Sequence, residues 1–347
     1  MRTSDILVIA PNFKRRLSGV TSTIIQLLPL QAARSKAVAL GPGLPPHVPR
    51  LPLRMLPALW RRPHGRPFRI WHARRNVEML AGVVLRDLLR MPLKLVFTSA
   101  SQRRHTGWTR FLINRMNGVI ATSRKTADYL SVPHHVVMHG IDLQRFHPPA
   151  SRDAAREELG LPERRTIGCF GRIRAQKGTD LFVAAMIALL PQRPQWQAII
   201  CGRATAEHRA FEARLRADIA TAGLSDRILF LGEFPDVAPH YRTLDLFVAP
   251  QRWEGFGLTP LEAMASGVPV VAADVGVFSD VVAPGCGTIV PADDAAALMA
   301  GIADFLDDPE RLAAAARAAF AHAQEDFPLA REVEELAAVY EAVWQAA

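Results

Sequence analysis

The chain has 347 residues, 49% hydrophobic and 22% charged, which is enough for two ordinary cores and too polar for a protein that lives inside a bilayer. Its formal net charge of +9 hides a split: residues 1–150 carry 24 Lys and Arg against 5 Asp and Glu, a surplus of +19, whereas the remainder carries 18 against 28 and stands at −10. A solvated basic face accounts for a modest surplus, but +19 confined to one half points to an anionic partner, and nucleic acid, acidic lipid headgroups and phosphorylated sugars all meet that electrostatic demand.

No run of about 18 apolar residues occurs. The opening MRTSDILVIAPNF lacks the basic, apolar and small-residue succession of an export signal, so a cytoplasmic location is expected. Along the first half, DILVIA (5–10), AVAL (37–40), FRIWH (68–72), LKLVFT (93–98), GVIAT (118–122) and HVVMH (135–139) are short apolar runs. Helical-period segments at 20–33, 74–90, 108–117 and 123–130 lie between most of them, and 41–67 is loop-like, rich in Pro, Arg and Leu. After FHPPASRD the alternation restarts with TIGCFG (166–171), WQAIICG (196–202), RILFLG (227–232), LDLFVAP (244–250), PVVAA (269–273) and GTIVP (287–291). Two α/β domains with doubly wound parallel sheets are therefore expected, over 1–150 and 151–327. The Ala-rich end, 293–347, spells two or three helices, and the last, 328–347, is expected to return to the first domain. Cys169 and Cys201 fall inside apolar runs and Cys286 in a Pro-Gly turn, without metal-ligand spacing, so all three are expected to be reduced structural thiols.

In such sheets ligands sit beyond the carboxyl ends of strands, which directs attention to the residues just after each run. EGFGLTPLEAM (254–264) sets Glu254 beside Gly255, Phe256 and Gly257, and Glu262 eight positions further on. Leu258, Thr259 and Pro260 resemble a helix start in which Thr259 is the N-cap and Glu262 completes a capping box, and a capping glutamate needs no substrate. The glycines, however, leave backbone N–H groups bare at the helix entrance, which suits a phosphate. Carboxylates repel that phosphate and so must hold neutral groups beside it; an ionised carboxylate accepts two hydroxyls at once. A ligand with a charged middle and hydroxylated ends is a nucleotide sugar. FGRIRAQKG places Arg172 and Lys177 after the first strand of the second domain, together enough to neutralise a diphosphate without a metal, although a single such pair is more often two solvated loop cations.

The Glu254/Glu262 spacing, the AMASGVPVVAADVG that follows, GRIRAQKG upstream, LSGV near residue 19 and HGIDLQRFHP (139–148) together resemble the retaining glycosyltransferases of family 4, which have the two-domain GT-B fold. PNFKRRLSGVTSTIIQLLPLQ and FTSASQRRHTGWTRFL are similar to the bacterial lipopolysaccharide-core mannosyltransferases within that family. The resemblance implies that Arg172 and Lys177 bind the donor diphosphate, Glu254 contacts the transferred sugar, Glu262 contacts the ribose, backbone near Gly257 to Thr259 assists the phosphate, and Gly19 approaches the donor from the first domain. It implies GDP-mannose as donor, with a UDP-hexose as the alternative, and neither cofactor nor metal. Many members have a histidine directly after the fourth strand; here FTSAS stands there, with His105 several residues later and Ser99 and Ser101 as alternatives. His105 is a candidate for sugar contact or proton handling, and equally a surface histidine among cations. Arg203 and FLGEF (230–234) are the candidates for base recognition.

The basic segments FKRRLSG, LWRRPHGRPFRIWHARR and SQRRHTGWTR mix cations with Trp and Phe, as a surface touching phosphorylated headgroups would. RNA would suit them too, but no RNA-binding signature accompanies them. The acceptor expected is an anionic glycolipid, a lipopolysaccharide-core precursor at the inner face of the cytoplasmic membrane, and nucleic acid is not expected as a partner.

Overall fold

Most of the short apolar runs become strands buried on both faces of a sheet, which is why they show no polar alternation; the run at 135–139 yields only an exposed two-residue edge strand, and those at 227–232 and 287–291 yield edge strands that are largely half-buried. The computed structural model describes residues 2–14 and 19–346. Its chain divides into two compact units, Met1–Gly140 with Leu329–Ala347, and Ile141–Pro328.

In the first unit β1 (Val8–Pro11), β2 (Ala37–Leu40), β3 (Arg69–Ala73), β4 (Leu93–Ser99), β5 (Gly118–Ala121) and β6 (His135–Val136) form one sheet of order β2-β1-β3-β4-β5-β6. Every pair is parallel. Val8, Ala10, Ile70, Val96 and Ile120 point to one face, under helices Gly19–Ser35 and Leu329–Gln345. Ile9, Trp71, Leu95, Phe97 and Val119 point to the other, under helices Asn76–Val83 and Gly107–Ile113. Residues 41–67 are not wholly loop: a 3-10 helix, Leu53–Trp60, seats Leu59 fully buried in that second cluster.

Helix Leu329–Gln345 buries Val333, Leu336, Val339, Tyr340, Val343 and Trp344 in the first unit. Polar bonds fix its register. The Gln31 amide donates to the Tyr340 hydroxyl at 3.3 Å, and that hydroxyl lies 2.7 Å from His72 Nδ1, while His72 Nε2 meets Thr98 Oγ1 at 2.7 Å. Burial holds His72 neutral, its pKa well below the usual imidazole range, and pushes the Tyr340 phenol up to about 12. The backbone N–H of Gly140 donates to Glu332 at 2.8 Å. The next residue, Ile141, belongs to the second unit and donates to the Phe327 carbonyl at 2.8 Å, so 141–150 clusters with the second half of the chain.

The second unit holds β7 (Arg165–Phe170), β8 (Trp196–Cys201), β9 (Ile228–Gly232), β10 (Leu246–Ala249), β11 (Val270–Ala273) and β12 (Gly287–Val290), again all parallel, in the order β12-β11-β10-β7-β8-β9. The chain builds outward from β7 to β9, then crosses back to lay β10 on the other side of β7. The carboxyl ends of β7 and β10 mark the switch point of this sheet, the place where ligands bind in sheets of this kind. In the first sheet the corresponding point lies between β1 and β3. Cys169, Cys201 and Cys286 are free and buried, and burial pushes the Cys169 thiol up to about 12.

Candidate active site

The two loops at the second switch point are locked together before any ligand is considered. Gly178, after the Lys177 turn, has φ +69°, and a Cβ there would lie 1.8 Å from the Pro250 carbonyl oxygen, so only glycine lets this loop rest against the end of β10. Arg252 closes the joint: its N–H donates to the Gln176 carbonyl at 3.0 Å, and its guanidinium pairs with Asp180 at 2.8 Å and Asp293 at 2.6 Å. These contacts carry Lys177 from the β7 side to Glu254 on the β10 side, where the two form an ion pair with side chains 20% and 18% exposed. Glu254 also accepts from the Gly255 N–H at 3.0 Å.

The capping-box expectation fails. The helix runs Thr259–Ala265 with Leu258 as N-cap, Leu258 is itself in a helical conformation, and no side chain caps the start. Thr259, one position inside the helix, keeps a buried hydroxyl without a hydrogen-bond partner among the described residues. Glu262 is thereby released from capping and accepts instead from the Tyr241 hydroxyl at 2.8 Å. Burial pushes its pKa up; the Tyr241 bond and Arg145 pull it down, and Asp236 adds to the rise. The bare N–H groups also differ from expectation: Gly255 is occupied by Glu254, whereas those of Gly257, Leu258 and Thr259 have no partner among the described residues. Gly257 has φ +86°, and a Cβ there would meet Phe278 at 2.4 Å and Glu254 at 2.7 Å, so this turn too requires glycine. Phe256 is buried beneath it.

Arg172 follows β7 directly and is exposed, with no hydrogen bond or ion pair among the described residues. Arg203, after β8, pairs with Glu233 at 3.3 Å across two exposed side chains, joining the two sequence candidates for base recognition. Of the four central groups the structure thus brings Lys177 and Glu254 into contact, while Arg172 lies just past β7 and Glu262 in the helix that follows β10, and neither bonds to that pair among the described residues.

Residues 151–322 match the family model described as glycosyl transferases group 1. The lipopolysaccharide core biosynthesis mannosyltransferase LpsB of Rhizobium meliloti (strain 1021) is 60% identical over 344 residues, 98% of each chain. The chain belongs to the group 1 glycosyltransferases. A second relative, the lipopolysaccharide core biosynthesis mannosyltransferase LpcC of Rhizobium leguminosarum bv. viciae, is 55% identical over 97% of this chain and 96% of its own. Among solved structures, Anabaena Alr3699/HepE in complex with UDP has a TM-score of 0.82 at 20% identity, covering 97% of this chain and 100% of that one, which shows a shared GT-B fold.

In the first unit of this glycosyltransferase, Gly19 opens helix Gly19–Ser35 and is exposed, while Leu17 and Ser18 of the LSGV motif, with the arginines before them, lie outside the described residues. His105 and Ser99, alternatives in the sequence, are neighbours: Nε2 and Oγ stand 3.5 Å apart, with Ser99 buried. Partial burial and Arg103 lower the His105 pKa. Ser101 is half-buried.

The sequence reading missed several groups. At the first switch point Arg75 bonds Asn12 at 2.9 Å, Thr21 at 2.9 Å and the fully buried Glu78 at 2.7 Å, tying the exit of β1, the exit of β3 and the start of helix Gly19–Ser35 together. In the second unit it missed Tyr241 and Arg252. Arg252 satisfies the strand-end rule and was there to be found; Tyr241 precedes β10 in a segment with no motif, and nothing in the order of residues announces its bond to Glu262.

Proposed function

We propose that this glycosyltransferase moves mannose from GDP-mannose to a lipopolysaccharide-core acceptor, with retention of anomeric configuration, at the inner face of the cytoplasmic membrane. The observation that carries the transfer reading is the Lys177–Glu254 pair at the switch point of the second sheet. The names of the two full-length relatives support mannose and the lipopolysaccharide core.

The pair is a charge held in readiness. A diphosphate draws the Lys177 ammonium to itself, with Arg172 as second cation and the N–H groups of Gly257, Leu258 and Thr259 as further donors. Glu254 then loses its ion-pair partner and offers its carboxylate to a hydroxyl of the transferred sugar. Glu262, steadied by Tyr241 on one oxygen, accepts from the ribose hydroxyls. Arg203 and the 230–234 turn face the base. As the glycosidic bond breaks, negative charge grows on the departing diphosphate, and Lys177 and Arg172 stabilise that state more than the resting complex. His105 beside Ser99 serves the acceptor side. With two cations and the N–H donors meeting the charge, the reaction needs no metal ion, and turnover in the presence of a chelator is expected to equal that without it.

Thermal-shift titration against GDP-mannose, UDP-glucose and UDP-galactose tests the donor, because a specific ligand stabilises by mass action. A shift with GDP-mannose alone is expected. A shift with a UDP-sugar alone would replace the donor and leave the transfer reading standing; no shift with any of them would remove both.

A further inference from the structure

The helical segment after β3 is apolar on both sides. Met79, Gly82 and Leu85 face the core, while Val77, Leu80, Val84 and Leu88 are exposed, Leu88 at 73%. A surface helix normally gives its outer face to polar side chains, yet these four recur at the three- and four-residue spacing of a single stripe. Two neighbours repeat the pattern. Helix Gly107–Ile113 buries Leu112 and Ile113 and exposes Trp108 and Phe111, stacked with ring centres 5.5 Å apart. The 3-10 helix Leu53–Trp60 buries Leu59 and exposes Leu53, Met55 and Trp60. The buried sides of all three belong to one apolar cluster on one face of the first sheet, so their exposed sides share its outer layer. Hydrogen bonds join them: Asn76 to Thr109 at 2.8 Å, and the Trp60 indole to the Leu89 carbonyl at 2.7 Å.

The charge of this layer has one sign. Its acidic residues are already neutralised, Glu78 by Arg75 and Asp87 by Arg86 and Arg115. Arg54, Arg61, Arg90, Arg103, Arg104 and Arg110 are exposed and make no ion pair among the described residues. We propose that this face docks on the surface of an anionic phospholipid bilayer, with the aliphatic stripe and the Trp108–Phe111 pair entering the interfacial layer and the arginines meeting the lipid phosphates. The inference rests on the reading of a membrane-borne acceptor and names the surface that reaches it. Nucleic acid would use the arginines and leave the aliphatic stripe without purpose, and a second copy of the same face would bring like charges together.

Sedimentation of the full-length protein with phosphatidylcholine vesicles, and with vesicles containing phosphatidylglycerol, tests it at about 0.1 M and about 1 M salt. Binding is expected to the anionic vesicles, weakened at high salt. The double variant Leu80→Ser, Leu88→Ser is expected to partition about tenfold less, the loss of two partly inserted leucines. Its melting temperature and its GDP-mannose shift should stay those of the unaltered protein, since both leucines are exposed and far from the donor loops in sequence. Arg103→Glu with Arg104→Glu should remove much of the salt-sensitive part. Equal vesicle binding by the leucine variant, or equal binding of the unaltered protein to neutral and anionic vesicles, overturns the proposal. So does a homodimer that the leucine substitutions dissociate, or RNA binding that replaces vesicle binding. If vesicle binding behaves as expected while no nucleotide sugar shifts the melting curve, the docking face stands and the donor reading fails; the converse result separates the two in the other direction.

Discussion

Lys177 and Glu254 satisfy each other while the donor is absent, so removing either strands a charge that is four-fifths buried. Lys177→Ala is expected to lower kcat by about 10²- to 10³-fold with a smaller effect on the donor KM, because the ammonium acts most strongly on charge that develops during bond breaking. Steady-state release of the nucleotide measures it, and an unchanged kcat would strip Lys177 of that role. Glu262 makes a second, pH-dependent case. Its folded pKa is raised above the ordinary glutamate value of 4.5, chiefly by burial. A carboxyl with a raised pKa favours folding while protonated, and that contribution is lost as pH rises through the folded value. Donor binding has the opposite sign, since only the ionised group accepts two ribose hydroxyls; affinity should therefore fall as pH drops through the raised pKa. Tyr241→Phe deletes a bond that pulls this pKa down, so the acid limb of donor KM against pH should move to higher pH. A limb that stays in place in the Tyr241 variant would show that another group titrates there.

At the level of elements, the positions of loops depend on a few backbone contacts. Gly178→Ala forces a Cβ onto the Pro250 carbonyl and asks alanine to hold a left-handed φ, which together cost about 2 kcal/mol or more. The expected outcome is a lower melting temperature together with loss of the donor-induced shift, because the same joint carries Lys177 to Glu254; a variant with a normal shift would uncouple the loop from the site. The strands were legible in the sequence because parallel strands buried on both faces are written as unbroken apolar runs, and the rule that ligands lie past strand ends led to Arg172, Lys177 and Glu254. The start of the helix at Thr259 was not. Thr-Pro-x-Glu carries the same letters whether Thr259 caps the helix or lies in its first turn, and the backbone of Leu258, which decides between them, is set by the turn at Gly257 packed on Phe278. The Arg75–Glu78 cluster was hidden for a related reason: its partners Asn12 and Thr21 are brought in from 63 and 54 residues away by the sheet order.

For the whole molecule, the two units are unequal as lengths of chain. The second, Ile141–Pro328, is continuous and holds all six of its strands, so it contains everything its core requires. The first is completed only by Leu329–Gln345, whose Val333, Leu336, Val339, Tyr340, Val343 and Trp344 are each 7% exposed or less. Burying six such side chains contributes on the order of 10 kcal/mol, about the net stability of an ordinary domain. The helix also supplies the hydroxyl that meets Nδ1 of buried His72 and the amide of buried Gln31, two polar atoms that lose this partner in the core without it. A fragment 141–328 is therefore expected to fold by itself, with a cooperative melt and a GDP-mannose shift of its own if the donor site lies within it. A fragment 1–140 is expected to lack cooperative unfolding and to aggregate, and to recover a native near-ultraviolet spectrum when the peptide 329–347 is added. Cooperative unfolding of 1–140 without the peptide would mean that the terminal helix covers a core already complete, and the weight given to its six apolar side chains would be wrong.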